Sequence, residues 1–253
     1  MWPIITIVLI VLGVLTCRQA SVFASEERVW AQAFEKIRQS PIVAFNLANA
    51  EENGGKRDRA LEHYFLSIHL NTNQALTLKP LLARSYYNAA NILTKSGRPQ
   101  QAVAAYKELL GRERMLGNDK DIVVLLHKTR YAMGNVLAQM GRNDEAINAY
   151  KELLQQDPGY TDAENNLAFV LLNEGKSAES IVHLRNVLAV TPDNLNANFN
   201  MARALLNEHQ PIEAKKYLAN AARALPSGDR LQSDIQTLAA QIDASLTKEA
   251  GKN

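Results

Sequence analysis

Three prolines, Pro158, Pro192 and Pro226, recur at intervals of 34 residues, and other residues keep the same phase. Gly141 and Gly175 share the interval, and Ala146, Ser180 and Ala214 each place a small residue twelve positions before a proline. A fixed period of this length is the signature of a repeat architecture. Each unit from Tyr131 to Pro226 predicts two short helices joined by a turn. The proline closes the unit because it lacks the N–H that would continue the second helix.

Within one period, Met133-Gly134, Leu137, Ala146, Tyr150 and Pro158 stand at the spacing of the tetratricopeptide repeat. The chain resembles that family, in which Gly and Ala let two helices approach and large apolar residues fill the space around them. The resemblance implies an all-α, right-handed α-solenoid, first helices lining its concave face, and a role in binding.

Upstream the pattern continues at longer spacing. Ala105 to Leu110 reads AYKELL and is repeated word for word at Ala149 to Leu154, while Asn49, Gly55, Ala60 and Tyr64 precede Asn91, Gly97, Ala102 and Tyr106 by 42. Five repeats are therefore expected across 41–228, at 41–82, 83–126, 127–160, 161–194 and 195–228. The first two carry extra residues around Leu76–Pro80 and Arg112–Asp121, which would lengthen the second helix of one unit or the first helix of the next.

Ends of a solenoid need covers, because an unpaired repeat presents an apolar face to water. Residues 25–40 predict an N-terminal capping helix with Ser25 at its start and Trp30, Ala33, Phe34 and Ile37 on one face. Residues 229–253 predict a C-terminal capping helix and tail, with Leu231, Ile235, Leu238, Ile242 and Leu246 at helical spacing.

Ile4 to Cys17 is apolar and uncharged, and Val22 and Ala24 stand where small residues precede a leader cleavage site. Three readings of 1–24 remain open: a cleaved signal peptide, a retained membrane anchor, and lipidation of Cys17, which Val14-Leu15-Thr16 precedes in the manner of a lipobox. All three export the repeats to a periplasmic location, where contact with the membrane runs only through this segment.

Charge and composition narrow the function. The 28 basic and 26 acidic residues are interspersed and 6% of residues are aromatic, so neither a phosphate-binding stripe nor a base-stacking platform is expected. Nucleic acid is thus not an expected partner. The five histidines form no HExxH, Cys17 is the one cysteine, and no metal or cofactor is expected. Gly175-Lys176-Ser177 resembles the end of a phosphate loop, but Val170 stands at the required first glycine. Catalysis is not expected.

Candidate ligand contacts lie on the first helices. Asn46, Asn88, Asn166 and Asn200 hold equivalent places, with Ala132 replacing Asn in the third repeat, and Asn49, Asn91 and Asn135 follow three residues later. An amide donates and accepts, so a row of them can pair with the backbone of an extended peptide or, equally, with neighbouring helices. Phe45, Tyr87, Tyr131 and Lys128, with Arg84 and Arg130, would add aromatic and cationic contacts. Asn49, Asn88 and Lys128 match places of the carboxylate clamp of chaperone-binding repeats, but Phe45 and Ala132 stand where that clamp has cations. The expected function is a non-catalytic protein- or peptide-binding adaptor of the cell envelope. Alternatives are a self-assembling scaffold, in which the chain is its own partner as a homo-oligomer, and an accessory of a membrane-bound assembly apparatus of the von Willebrand-domain-associated type.

Overall fold

The computed structural model describes residues 26–72, 78–226 and 228–250, so Cys17 and the rest of 1–25 lie outside the described residues. Those described form thirteen helices and no strand. The chain divides between Thr129 and Arg130 into two compact units.

In the first unit, α1 (26–36) precedes two helix pairs: α2 (Pro41–Asn53) with α3 (Arg57–Thr72), and α4 (Lys79–Lys95) with α5 (Pro99–Gly111). A single turn, α6 (Glu113–Leu116), then leads to α7 (Lys120–Gln139), within which the division between units falls. Each helix of the two pairs packs on the next in chain order, and α2 also touches α4. The second unit continues from the latter part of α7 through α8 (Asn143–Gln156), the pair α9 (Thr161–Asn173) and α10 (Ser177–Val190), the pair α11 (Leu195–Asn207) and α12 (Pro211–Ala224), and α13 (Leu231–Ala250). Again neighbours in sequence are neighbours in space, which is the order of a tetratricopeptide solenoid.

The small residues sit where helices cross most closely. Ala48, Ala90, Ala168 and Ala202 on first helices, and Ala60, Ala102, Ala146, Ser180 and Ala214 on second helices, are fully buried. Gly134 occupies the same place in the third repeat, where a Cβ would lie 2.6 Å from the Tyr150 ring. Around them the core of the second unit is built from Leu184, Met201, Leu205 and Leu218, among others.

The turn between the two helices of a repeat is one device used five times. Gly55, Gly97, Gly141 and Gly175 have φ of 78°, 70°, 72° and 73°, the left-handed conformation that ends a helix in a Schellman motif. The following N–H reaches back five residues, as from Lys56 to Glu51 O (2.8 Å) and from Lys176 to Leu171 O (2.9 Å). In the fifth repeat His209 takes this place with φ 57°, and Gln210 N–H still reaches Leu205 O at 2.8 Å. Pro158, Pro192 and Pro226 each follow the end of a second helix by two residues.

The extra residues of the early repeats go largely into first helices. α4 has 17 residues and α7 has 20, against 13 in α2, α9 and α11. These two helices begin at Lys79 and Lys120, ahead of the starts expected at 83 and 127. The short α6 adds Leu116 to the core of the first unit and ends at Gly117, φ 85°.

Both end helices lean on their neighbours. Phe34 of α1 meets His63 of α3 edge-on at 5.1 Å, and Glu27 pairs with Lys56 at 2.7 Å. Ile37 was expected to share this apolar face but is exposed: it stands just past the last helical residue, 36, with its N–H still bonded to Ala33 O at 2.9 Å, where the end helix has run beyond its neighbour. At the other end Asp229 Oδ1 accepts the Leu231 N–H at 2.8 Å, capping α13. Ile235, Leu238 and Ile242 of α13 are buried in the core of the second unit, with Leu231 and Leu246 packed at its edge.

Candidate functional site

The asparagines of the second series are bound to tyrosines. In each of the first three repeats a tyrosine of the second helix points its hydroxyl at the asparagine fifteen residues earlier. Tyr64 donates to Asn49 Oδ1, Tyr106 to Asn91 Oδ1 (2.6 Å) and Tyr150 to Asn135 Oδ1 (2.6 Å). The tyrosine rings are fully buried, and an aromatic residue of the first helix packs on each: Phe45 on Tyr64 (5.7 Å between centroids), Tyr87 on Tyr106 (6.4 Å) and Tyr131 on Tyr150 (6.4 Å). A buried phenol without a partner would be costly, and the amide oxygen supplies that partner.

Two asparagines of the first series then tie one repeat to the one before it. Asn88 Nδ2 donates to the Tyr64 hydroxyl at 3.1 Å and lies 3.4 Å from Asn49 Oδ1. Asn166 Nδ2 donates to Asn135 Oδ1 at 2.8 Å and to the Tyr131 hydroxyl at 3.2 Å. Both amides therefore spend their donors on the seams between repeats and retain acceptor oxygens.

Asn200 differs because the fourth repeat has no such pair to receive it. Phe169 and Leu184 stand there at the places of the asparagine and tyrosine, and Asn200 Oδ1 instead meets Arg203 Nη1 at 3.5 Å. On this side of the second unit a groove opens across α9, α11 and α13, with lobes of 340 and 540 Å³. α9 contributes Asn165, Asn166 and Phe169, and α11 contributes Asn196, Phe199, Asn200 and Arg203. α13 closes it with Leu231 and Asp234, and the larger lobe extends along α13 to Gln241.

The chemistry of this groove is mixed. Phe169 is 43% exposed, Asn165 Oδ1 is buried without a hydrogen-bond partner, and the Arg203 guanidinium lies 5.9 Å from the Phe199 ring and 3.4 Å from Asn173 Oδ1. Asp234 has no ion-pair partner among the described residues. The arrangement offers hydrogen-bond donors and acceptors, one exposed ring and an unpaired carboxylate.

Of the residues singled out in the sequence, Asn166 and Asn200 come together in this groove. Asn46 and Tyr87 are half-buried in the first unit, Lys128 is exposed, and Phe45 is buried beneath Arg84, whose guanidinium lies 5.2 Å from its ring. Arg130 is buried as well. The sequence reading missed Phe169, Phe199, Arg203 and Asp234. A signal for Asp234 was present: it follows Asn166 and Asn200 at the same interval of 34, so the C-terminal helix extends the first series with a carboxylate.

Titration properties follow from burial. Burial raises the Tyr64 and Tyr150 phenols above their ordinary range, assisted by Glu52 and Tyr131 respectively, and pushes Tyr106 up to about 12. On the surface, the Lys151 ammonium bonded to Glu179 at 2.7 Å lowers that carboxyl. Two buried carboxylates are held by imidazoles, Glu51 by His63 (2.6 Å) and Glu164 by His183 (2.5 Å). Arg59 also neutralises Glu51, and Asn186 donates to Glu164. Neither pair borders the groove. Among the described residues no group of three or more His, Cys, Asp or Glu is placed to hold a metal ion.

Comparison with known proteins agrees with this architecture. A profile described as tetratricopeptide repeat matches residues 83–114, and one described as TPR repeat matches 134–175. YrrB, described as a TPR protein with an unusual peptide-binding site, is similar at 19% identity and a TM-score of 0.64, over 85% of this chain and 97% of its own. BtubC from P. vanneervenii gives 15% identity and 0.65, over 84% and 94%. A tetratricopeptide repeat protein from Parabacteroides merdae gives 15% and 0.66, over 84% and 75%. The search of curated proteins returns no match. The repeat profiles, the recurring turns and crossings, and the order of helix packing agree: the chain carries tetratricopeptide repeats at 83–114 and 134–175 within a helical solenoid of that fold.

Proposed function

We propose that the chain is a non-catalytic adaptor of the cell envelope that binds a protein or peptide partner through the first-helix face of its second unit. The observation that carries this reading is the groove across α9, α11 and α13, where Asn166 keeps an acceptor oxygen beside the exposed ring of Phe169. The peptide-binding site of the structurally similar YrrB supports the same class of ligand. Several modest contacts along such a groove suffice for selective binding without any catalytic group.

The envelope location rests on the apolar run Ile4 to Cys17. Among the described residues no helix is long and apolar enough to cross a membrane, so any attachment would come from that run. The test is in-cell crosslinking of the full chain, purification, and mass spectrometry of captured proteins and of the mature N terminus. A recurrent partner lost on Phe169→Ala with Arg203→Ala supports the adaptor and its surface. Recovery of the chain alone points to self-assembly, and a start at Ser25 or a lipid on Cys17 identifies how it is exported.

A further inference from the structure

We infer that the groove of the second unit takes an extended segment pairing an apolar side chain with a basic one, and not an acidic segment or a chain-terminal carboxylate. This rests on the peptide-binding reading above and names the chemistry of the ligand.

The charges decide between the options. Arg203 is the cation of the groove, and it is already engaged by Asn200, by Asn173 and by the Phe199 ring. Asp234 is the anion, exposed and without a counter-ion among the described residues. A lysine or arginine of the ligand supplies what Asp234 lacks, whereas a ligand carboxylate would compete with amides for one occupied guanidinium and be repelled by Asp234.

The apolar requirement comes from Phe169. Its ring is 43% exposed at a place where the first three repeats carry a tyrosine-bonded asparagine, and it borders the same lobe as Phe199. A ligand side chain seated there removes both surfaces from water.

The backbone requirement comes from an amide. Asn166, which lines the groove, has committed its donor but not its oxygen. A main-chain N–H group of an extended segment fits that acceptor.

The test screens the full chain against an array of random, N- and C-terminally capped linear dodecapeptides, then measures recovered sequences by anisotropy. Recovered peptides should share an apolar and a basic residue. Phe169→Ala should weaken them about tenfold, as expected for an anchor contact. Asp234→Asn should remove their preference for Lys over Glu, whereas Phe65→Ala, an equally exposed ring on α3, should leave affinity unchanged. Recovery of acidic peptides, or of peptides indifferent to both groove variants, overturns the ligand assignment while leaving the adaptor reading standing. Recovery of no peptide at all overturns both.

Discussion

Tyr150 and Asn135 are joined by a 2.6 Å hydrogen bond that runs from the second helix of a repeat back to its first. The Asn135 oxygen also accepts from Asn166 of the following repeat at 2.8 Å, so one atom serves the interior of a repeat and its seam. Tyr150→Phe keeps the ring and removes the inner bond. The expected loss is about 1–2 kcal/mol, the range for a buried hydrogen bond whose partner is left behind. Asn166→Ala should cost a similar amount, and urea unfolding of both single variants and the double variant should give a coupling clearly different from zero. Additive losses would mean that the two bonds do not share their acceptor in solution.

Gly134 has no room for a side chain. A Cβ there would stand 2.6 Å from Cε1 of Tyr150, a fully buried ring that cannot swing aside. Gly134→Ala should therefore destabilise by about 1–3 kcal/mol, despite the higher helix propensity of alanine. Thermal unfolding of the variant checks this, and an unchanged or raised Tm would contradict the close crossing.

His209 should respond in the opposite direction. It holds φ 57° where the four earlier repeats place glycine. Relieving a left-handed non-glycine residue is worth on the order of 1 kcal/mol, so His209→Gly should raise the urea midpoint with little change in slope.

Alkaline stability follows from the buried phenols. The Tyr106 hydroxyl ionises at about 12 in the folded chain and near 10.0 when exposed, because burial disfavours its phenolate. The folded state thus holds this proton more tightly. Its contribution is complete below pH 10.0 and is lost as pH rises toward 12, and Tyr64 and Tyr150 act in the same direction. Unfolding midpoints measured across that interval, with phenolate absorbance followed in parallel, should fall together with ionisation. Tyr106→Phe should reduce the steepness of the decline.

Much of the fold was legible because repeats print their geometry in the sequence. The prolines of the last three repeats, the turn glycines of the first four and the small residues at 60, 102, 146, 180 and 214 each answer to one local requirement that recurs with the repeat. The extra residues between repeats were visible too, and their placement mainly in α4 and α7 is a matter of where a helix starts. The candidate site was less legible, since an asparagine reads the same whether it faces a ligand or a tyrosine. Spacing alone does not reveal that Asn88 reaches Tyr64, or that Phe169 and Leu184 leave Asn200 without such a receiver. Asp234 is hidden for a different reason: the apolar spacing of its helix dominates the pattern there, while the polar face continues the series of Asn166 and Asn200 with a different residue type.

The exchange of an asparagine and tyrosine for Phe169 and Leu184 also makes one seam of the second unit more dependent on apolar burial, and so more sensitive to cooling, than the other. The seam closed by Tyr150, Asn135 and Asn166 is held by directional polar contacts, while the one beyond it relies on the burial of Leu184, Met201 and Leu205. Apolar burial loses strength on cooling, so near freezing the last helix pair should loosen before the polar seam does. Amide hydrogen exchange measured at low temperature would then show faster exchange in α11 and α12 than in α8, a chilling-sensitive end on an otherwise uniform array.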